Sequence, residues 1–215
     1  MKQNELLEKI PPLLPMDFFS LSCDLEFVKE SSRPLKKQHR LQGTSELLAE
    51  EAFATCYLGW NEEGIFFEAH VDVPFENCYF PNFREGDSLE LFIDTRDLKT
   101  AGFLTRFCHH FVFLPKAIEE IKSQEITHFR TEDSHPLADA HLLKNDAEFH
   151  AKKYELKIFI PSDCLCGYDP NAFDRMGFTY RINRVGNQPQ HFSVSSHNFS
   201  IEKHPSLWAS FKLSK

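Results

Sequence analysis

The chain has 215 residues, a length at which a β-sandwich or barrel commonly closes around one core. Its 22 Phe against two Trp and three Met supply flat, stiff rings that suit sheet packing better than a plastic helical core. With 24 basic and 32 acidic residues the formal charge is −8 at pH 7, so the positive field that draws proteins to phosphate backbones or anionic lipid is missing and neither nucleic acid nor membrane is an expected partner.

The N-terminal stretch MKQNELLEKIPPLLPMDFF carries charges and prolines where a secretion signal needs an unbroken apolar core, and no later segment offers the roughly 18 apolar residues of a membrane span. A cytoplasmic location is expected, with residues 1–16 as an arm lying on the domain. Residues 17–29 read as a first strand. Residues 31–43 read as a polar loop whose basic group, Arg33, Lys36, Lys37, His39 and Arg40, is a solvated surface. Residues 44–51 suit one or two helical turns, or lead directly into the next strand.

From there the pattern sharpens. ATCYLGW (54–60) and GIFFEAHVDV (64–73) flank NEEG, a turn that closes a β-hairpin. The aromatic and Pro-containing loop 73–86 leads into DSLELFID (87–94), which alternates by twos. A strand over 105–115 follows, then a short helical piece KAIEEIK and a strand EITHFRTED (125–133). YELKIFIP (154–161), GFTYRINRV (177–185), HFSVSS and SLWASFKL complete the set. No linker or repeat divides the chain, so the expected fold is a single all-β domain over 1–215, an antiparallel, jelly-roll-like β-sandwich with short peripheral helices. The six cysteines form no CxxC pair and read as free thiols.

Strand parity sorts the polar residues. In RFCHHFVF, His109 shares a face with Phe107, Phe111 and Phe113, the better core face, while Arg106 and His110 share the other with Cys108. Glu90 lies opposite Leu89, Leu91 and Ile93, and Arg181 and Asn183 lie opposite Phe178, Tyr180 and Ile182. If these strands are neighbours, Glu90, Arg106, His110, Arg181 and Asn183 form either one patch of donors and acceptors suited to hydroxyls or a carboxylate or an ordinary polar sheet face stabilised by cross-strand Glu–Arg pairs. A glycosidase pair of Glu90 with Asp94, Glu132 or Asp133 needs a separation that parity does not supply. There is no nucleophile elbow, phosphate loop or HExxH, so catalysis is not the expected activity. HFRTEDSH (128–135) holds two histidines and two acids beside a turn, a set suited either to a metal or to solvent.

CYLGWNEEGIFFEAHVDV, REGDSLELFIDTRD and YELKIFIPSDCL, followed by MGFTYRINR and SLWASFKL, occur in an order that resembles the family-nine carbohydrate-binding modules and the wider DOMON-like sandwiches, over roughly residues 54–213. The resemblance implies a sandwich that binds a sugar or, in the haem-binding branch, a haem. Those sugar binders grip the ring between loop tryptophans, whereas Trp60 and Trp208 lie in or beside strands here. Tyr79, Phe80 and Phe83 of the 73–86 loop are then the rings that either stack on a pyranose or cap the end of the sandwich. The resemblance also admits a structural calcium, with Asp72, Asp94 and Asp97 as its oxygen donors. The expected function is a non-catalytic binding module for a glycan or other small molecule. The alternatives are a haem or metal protein with His109 or His110 opposite Met176 or another histidine, or an intracellular protein-interaction domain.

Overall fold

The computed structural model describes residues 22–29 and 34–215. The expected N-terminal arm lies outside them, as does the start of the first strand. Among the described residues eleven strands form two sheets. The larger has the order β1 (Ser22–Glu26), β11 (Ala209–Ser214), β9 (Arg175–Asn183), β4 (Ser88–Asp94), β5 (Cys108–Ile118), β6 (Ile121–Glu125), with β10 (Gln190–His191) added to β9. The smaller has the order β2 (Ala54–Asn61), β3 (Gly64–Val71), β8 (Tyr154–Pro161), β7 (Lys144–Phe149). One helical turn, α1 (Ser45–Leu48), and short 3-10 turns lie outside the sheets. All ladders are antiparallel except β1 with β11, a departure from the fully antiparallel expectation.

Alternation drives the packing. Leu89, Leu91 and Ile93 of β4, Phe111 and Phe113 of β5, and Phe178, Tyr180 and Ile182 of β9 meet Leu58, Trp60, Ile65, Phe67, Leu156, Ile158 and Ile160 of the smaller sheet in one buried core. Trp60 is tied at its polar end, donating from Nε1 to the Leu25 carbonyl at 2.8 Å, as a buried indole requires. The β2–β3 hairpin forms where expected, closing at Asn61 opposite Gly64. Gly64 has φ +150°, and a Cβ there would strike the Ile160 carbonyl oxygen of β8.

Three local expectations fail, and one strand forms that was not expected. KAIEEIK is not helical: β5 runs on to Ile118 and turns through Glu119 (φ 48°) and Glu120 (φ 71°) into β6. Cross-strand pairing overrides the helical propensity of this piece, and the register shift between Phe113 and Ile118 accommodates Pro115, which lacks an N–H for a regular ladder. The strand expected over 125–133 ends at Glu125, and 126–139 is an irregular loop. HFSVSS contributes only Gln190–His191 with its predecessor. Conversely, KNDAEF forms β7, an edge strand whose charged side chains hid it and suit it to an exposed border.

The outer face of the larger sheet is also covered. Phe92 and Cys108 pack with Leu104, Val194, Ile201 and Trp208 on one side, and Val112 and Leu114 with Cys78 on the other. Trp208 donates from Nε1 to the Ile201 carbonyl at 2.8 Å. Both tryptophans are thus interior, and all six cysteines are unpaired. Among the described residues no helix is long and apolar enough to cross a membrane.

Candidate functional site

Strands β5, β4 and β9 are adjacent, and their register sets Glu90 opposite Arg181 on one side and Phe92 opposite His110 on the other. Glu90 therefore projects from the outer face between the two small apolar clusters, with no solvent exposure. A carboxylate there must be fully hydrogen-bonded. Arg181 supplies a fork, Nε to Oε1 at 2.6 Å and Nη2 to Oε2 at 2.7 Å. Asn183 donates to Oε1 at 2.9 Å and also to Ser88 Oγ at 2.9 Å. His110 Nε2 lies 2.8 Å from Oε2. Arg84 reaches the same oxygen with Nη2 at 3.2 Å, from a 3-10 turn over Phe83–Glu85.

The electrostatics follow from this geometry. Burial alone would raise the Glu90 pKa, but the hydrogen bonds from His110 and Arg181 and the Arg181 charge outweigh it and hold the carboxyl well below its ordinary range. His110 is pushed down, first by burial and then by the Arg181 and Arg84 charges, against the pull of Glu90. The group is a fixed carboxylate, a neutral imidazole stacked on Phe92 at 4.2 Å, and two guanidinium groups. It carries one net positive charge. Arg181 is buried, whereas the Arg84 side chain is 44 % exposed, so Arg84 alone of the two can turn to a ligand without leaving a buried cation.

Above this group opens a cleft of about 440 Å³ lined by the 81–85 segment, His110, Ile126, His128, Arg130, Glu202 and Lys203. A second cleft of about 290 Å³ shares His128, Arg130 and Lys203 with it and continues past Gly102, Phe103 and His204.

Of the residues that parity grouped, Glu90, His110, Arg181 and Asn183 do come together, but buried beneath loops rather than on an open sheet face. Arg106 does not join them. The chain turns at Thr105, whose carbonyl accepts from Cys108 N at 2.9 Å, and β5 starts only at Cys108, so alternation counted from 105 misplaces Arg106. It is exposed and pairs with Asp133. Among the loop rings, Phe83 lines the cleft and packs on the Val112 cluster, Phe80 packs on that cluster from outside the cleft, and Tyr79 is exposed away from the lining. Arg84, which sequence reasoning missed, had one signal: it opens the REGDSLELF block that also contains Glu90.

The other expectations separate in space. Met176 lies in the sandwich core and His110 on the outer face of the same sheet, so the two do not face one iron. Asp94 accepts from Arg96 N at 3.0 Å and Leu98 N at 2.7 Å, while Asp97 pairs with Lys99 at 2.7 Å and accepts from Ser210 Oγ at 2.6 Å. Both are occupied in shaping the 95–101 turn.

No family model and no curated protein matches the chain. Solved structures do. A family-nine carbohydrate-binding module from Caldicellulosiruptor kristjanssonii, in complex with cellotriose, superposes with a TM-score of 0.64 over 90% of this chain and 93% of that one. The chain has the fold of the family-nine carbohydrate-binding modules. Identity to that module is 14%, and a glucose complex of a family-nine module from the same organism gives a TM-score of 0.58 at 17% identity over 75% of this chain and 76% of that one. The two-sheet arrangement of the family-nine fold thus extends to a chain whose tryptophans are both interior.

Proposed function

We propose that this protein is a non-catalytic carbohydrate-binding module whose sugar lies in the cleft above Glu90. The observation that carries the reading is the shared position of Arg84, half-exposed in the cleft wall and hydrogen-bonded to the buried Glu90 that Arg181 and Asn183 hold in place. A ligand hydroxyl meeting Arg84 meets a donor already oriented from beneath, which reduces the ordering cost of binding. Phe83 adds a flat apolar face beside it, with the Arg84 guanidinium 5.6 Å from its ring centroid. Polar groups converging on one apolar wall are what sugar sites need. The adjoining second cleft leaves room for more than one sugar ring. The structural neighbours support the same class, since their modules are complexed with cellotriose and glucose.

Catalysis is not proposed at this site. Glu90 is fixed as a carboxylate by a bidentate guanidinium, which suits orientation rather than proton donation. Of its candidate partners, Asp94 is committed to backbone amides and Asp133 to Arg106.

The test is calorimetry over neutral monosaccharides, β-linked oligosaccharides and uronic acids, the last because Arg84, Arg130 and Lys203 line the cleft. At least one sugar is expected to bind. Phe83→Ala and Arg84→Ala should each weaken it by about tenfold or more, equivalent to about 1.4 kcal/mol, with melting temperatures near wild type. No heat with any sugar, or unchanged affinity in both variants, overturns the reading.

A further inference from the structure

Glu125, the last residue of β6, is fully buried at the start of the 126–139 loop. Two histidines from distant parts of the chain meet one of its oxygens. His109 of β5 places Nδ1 2.9 Å from Oε1, and His135 of the loop places Nε2 2.9 Å from the same atom. Thr127 Oγ1 donates to Oε1 at 2.7 Å and Ala138 N to Oε2 at 2.7 Å, so the carboxylate is oriented by its surroundings.

Proton counting is informative here. A neutral imidazole has one N–H. The second nitrogen of His135, Nδ1, lies 2.6 Å from the Arg106 carbonyl, which can only accept. If Nδ1 carries the proton, Nε2 is a lone pair aimed at a carboxylate. At His109, a proton on Nδ1 for Glu125 leaves Nε2 buried without a hydrogen bond of ordinary geometry, although the Cys166 backbone lies close enough to act on the ring.

A cation between the three side chains resolves the His135 position and lets the His109 proton sit on Nε2, on the side of the Cys166 backbone. We infer that His109, Glu125 and His135 form a site for a divalent transition metal, zinc by its ligand set. His135 would bind through Nε2 while donating Nδ1–H to the Arg106 carbonyl, the outer bond that orients metal-bound histidines. His109 would bind through Nδ1 with its proton on Nε2. The three ligand atoms lie within 4.8 Å of one another. Bonds of about 2.1 Å in a tetrahedron put ligand atoms roughly 3.4 Å apart, so each nitrogen, now 2.9 Å from Oε1, withdraws from the carboxylate by about 0.5 Å to admit the ion.

Two imidazoles and one carboxylate select against calcium and magnesium, which prefer all-oxygen shells. Iron(II) uses the same trio where open positions face a substrate. Here His109 and Glu125 are fully buried and the His135 side chain is 5 % exposed, so the trio is shielded from solvent and suits zinc held by three protein ligands with a water in the fourth position. The ion would fasten both ends of a loop whose residues Ile126, His128 and Arg130 line the cleft.

The full chain, stripped with chelator, is titrated with Zn²⁺ against a chromophoric competitor, and separately with Co²⁺ and Ca²⁺. Expected are one zinc per chain, visible tetrahedral Co²⁺ bands, and a melting temperature raised by about 5–10 °C at a hundredfold excess of zinc over Kd. Ca²⁺ should produce no rise. His135→Ala, a loop substitution that spares the core, should abolish the stoichiometric ion, and Glu125→Gln should weaken it at least tenfold. His141→Ala, on the exposed surface, should bind as wild type. Absence of zinc binding by the wild type, or undiminished binding by His135→Ala, overturns the inference; in either case His135 holds Arg106 and Glu125 as a doubly protonated imidazolium instead.

Discussion

Replacing Glu90 by Gln keeps the side-chain shape and removes the charge from a carboxyl with no solvent exposure. Arg181, 5 % exposed, then keeps its positive charge with one neutral acceptor where it had a bidentate carboxylate. The amide nitrogen of the new residue meets an Arg181 N–H in either orientation, Nε where Oε1 stood or Nη2 where Oε2 stood, a donor against a donor that no change of the His110 tautomer removes. Breaking a buried pair by removing one partner costs about 3–5 kcal/mol, a large part of the roughly 5–15 kcal/mol that stabilises a typical protein. For a chain of this size each kcal/mol is worth about 2–4 °C, so Glu90→Gln should lower the melting temperature by about 6–20 °C. Arg84 contributes little to this sum, because its half-exposed guanidinium can turn to water. The assay is urea unfolding of wild type, Glu90→Gln, Arg181→Met and the double change Glu90→Leu with Arg181→Met. The double change should recover more than half of the single losses, since two apolar side chains leave no buried charge. A Glu90→Gln loss below about 1 kcal/mol, the scale of an exposed pair, or strictly additive losses in the double change, would refute the argument that the charges are paired away from solvent.

Acid should destabilise the protein beginning near the ordinary histidine value of 6.5, because an unfolded His110 takes a proton there while the buried one, held down, does not. The unfolded state then binds more protons, so stability is lost as the pH falls; His109 acts in the same direction and His135 in the opposite one. Urea unfolding at about pH 7.5 and about pH 5.5 should show a smaller loss for His110→Gln than for wild type, and an equal loss contradicts the assignment. Glu90 adds a further loss below the ordinary carboxylate value, where the unfolded side chain takes a proton and the buried one, held down, does not. At the β5–β6 turn, Glu119→Asn with Glu120→Gly should stabilise by about 1 kcal/mol, since both positions have positive φ and these residues tolerate it. The matching rise in melting temperature is about 2–4 °C, and a fall would mean that the glutamates make contacts beyond their backbone conformation.

Much of the sandwich was legible because its strands alternate cleanly: the parity of DSLELFID and GFTYRINRV put Glu90, and Arg181 with Asn183, on the polar faces of their strands, although only the sheet order makes those faces one. That the face is buried was not legible. Its cover comes from segments without periodicity, such as 81–85, 126–130 and the residues before Trp208, and nothing local in them states where they fold back. Arg84 belongs to such a segment, and Arg106 was misassigned because a turn at Thr105 breaks the count. The Glu125 cluster was half visible, since HFRTEDSH contains His135, but its other members come from β5 and the end of β6. Only tertiary structure joins a ligand in a loop to two in strands.

β11 lies between β1 and β9, and β1 has no other ladder neighbour in the larger sheet. On the ribosome, β1 emerges first of these and β11 long after the rest. The smaller sheet has all four of its strands once β8 has left the exit tunnel, whereas β1 and the free edge of β9 must wait for residues 209–214. During that interval the nascent chain presents an unpaired strand and an open edge, the features most prone to pairing with other chains. Synthesis of this protein should therefore depend on holding chaperones late, and a translational stall downstream of β9 should be more damaging than one shortly after β3.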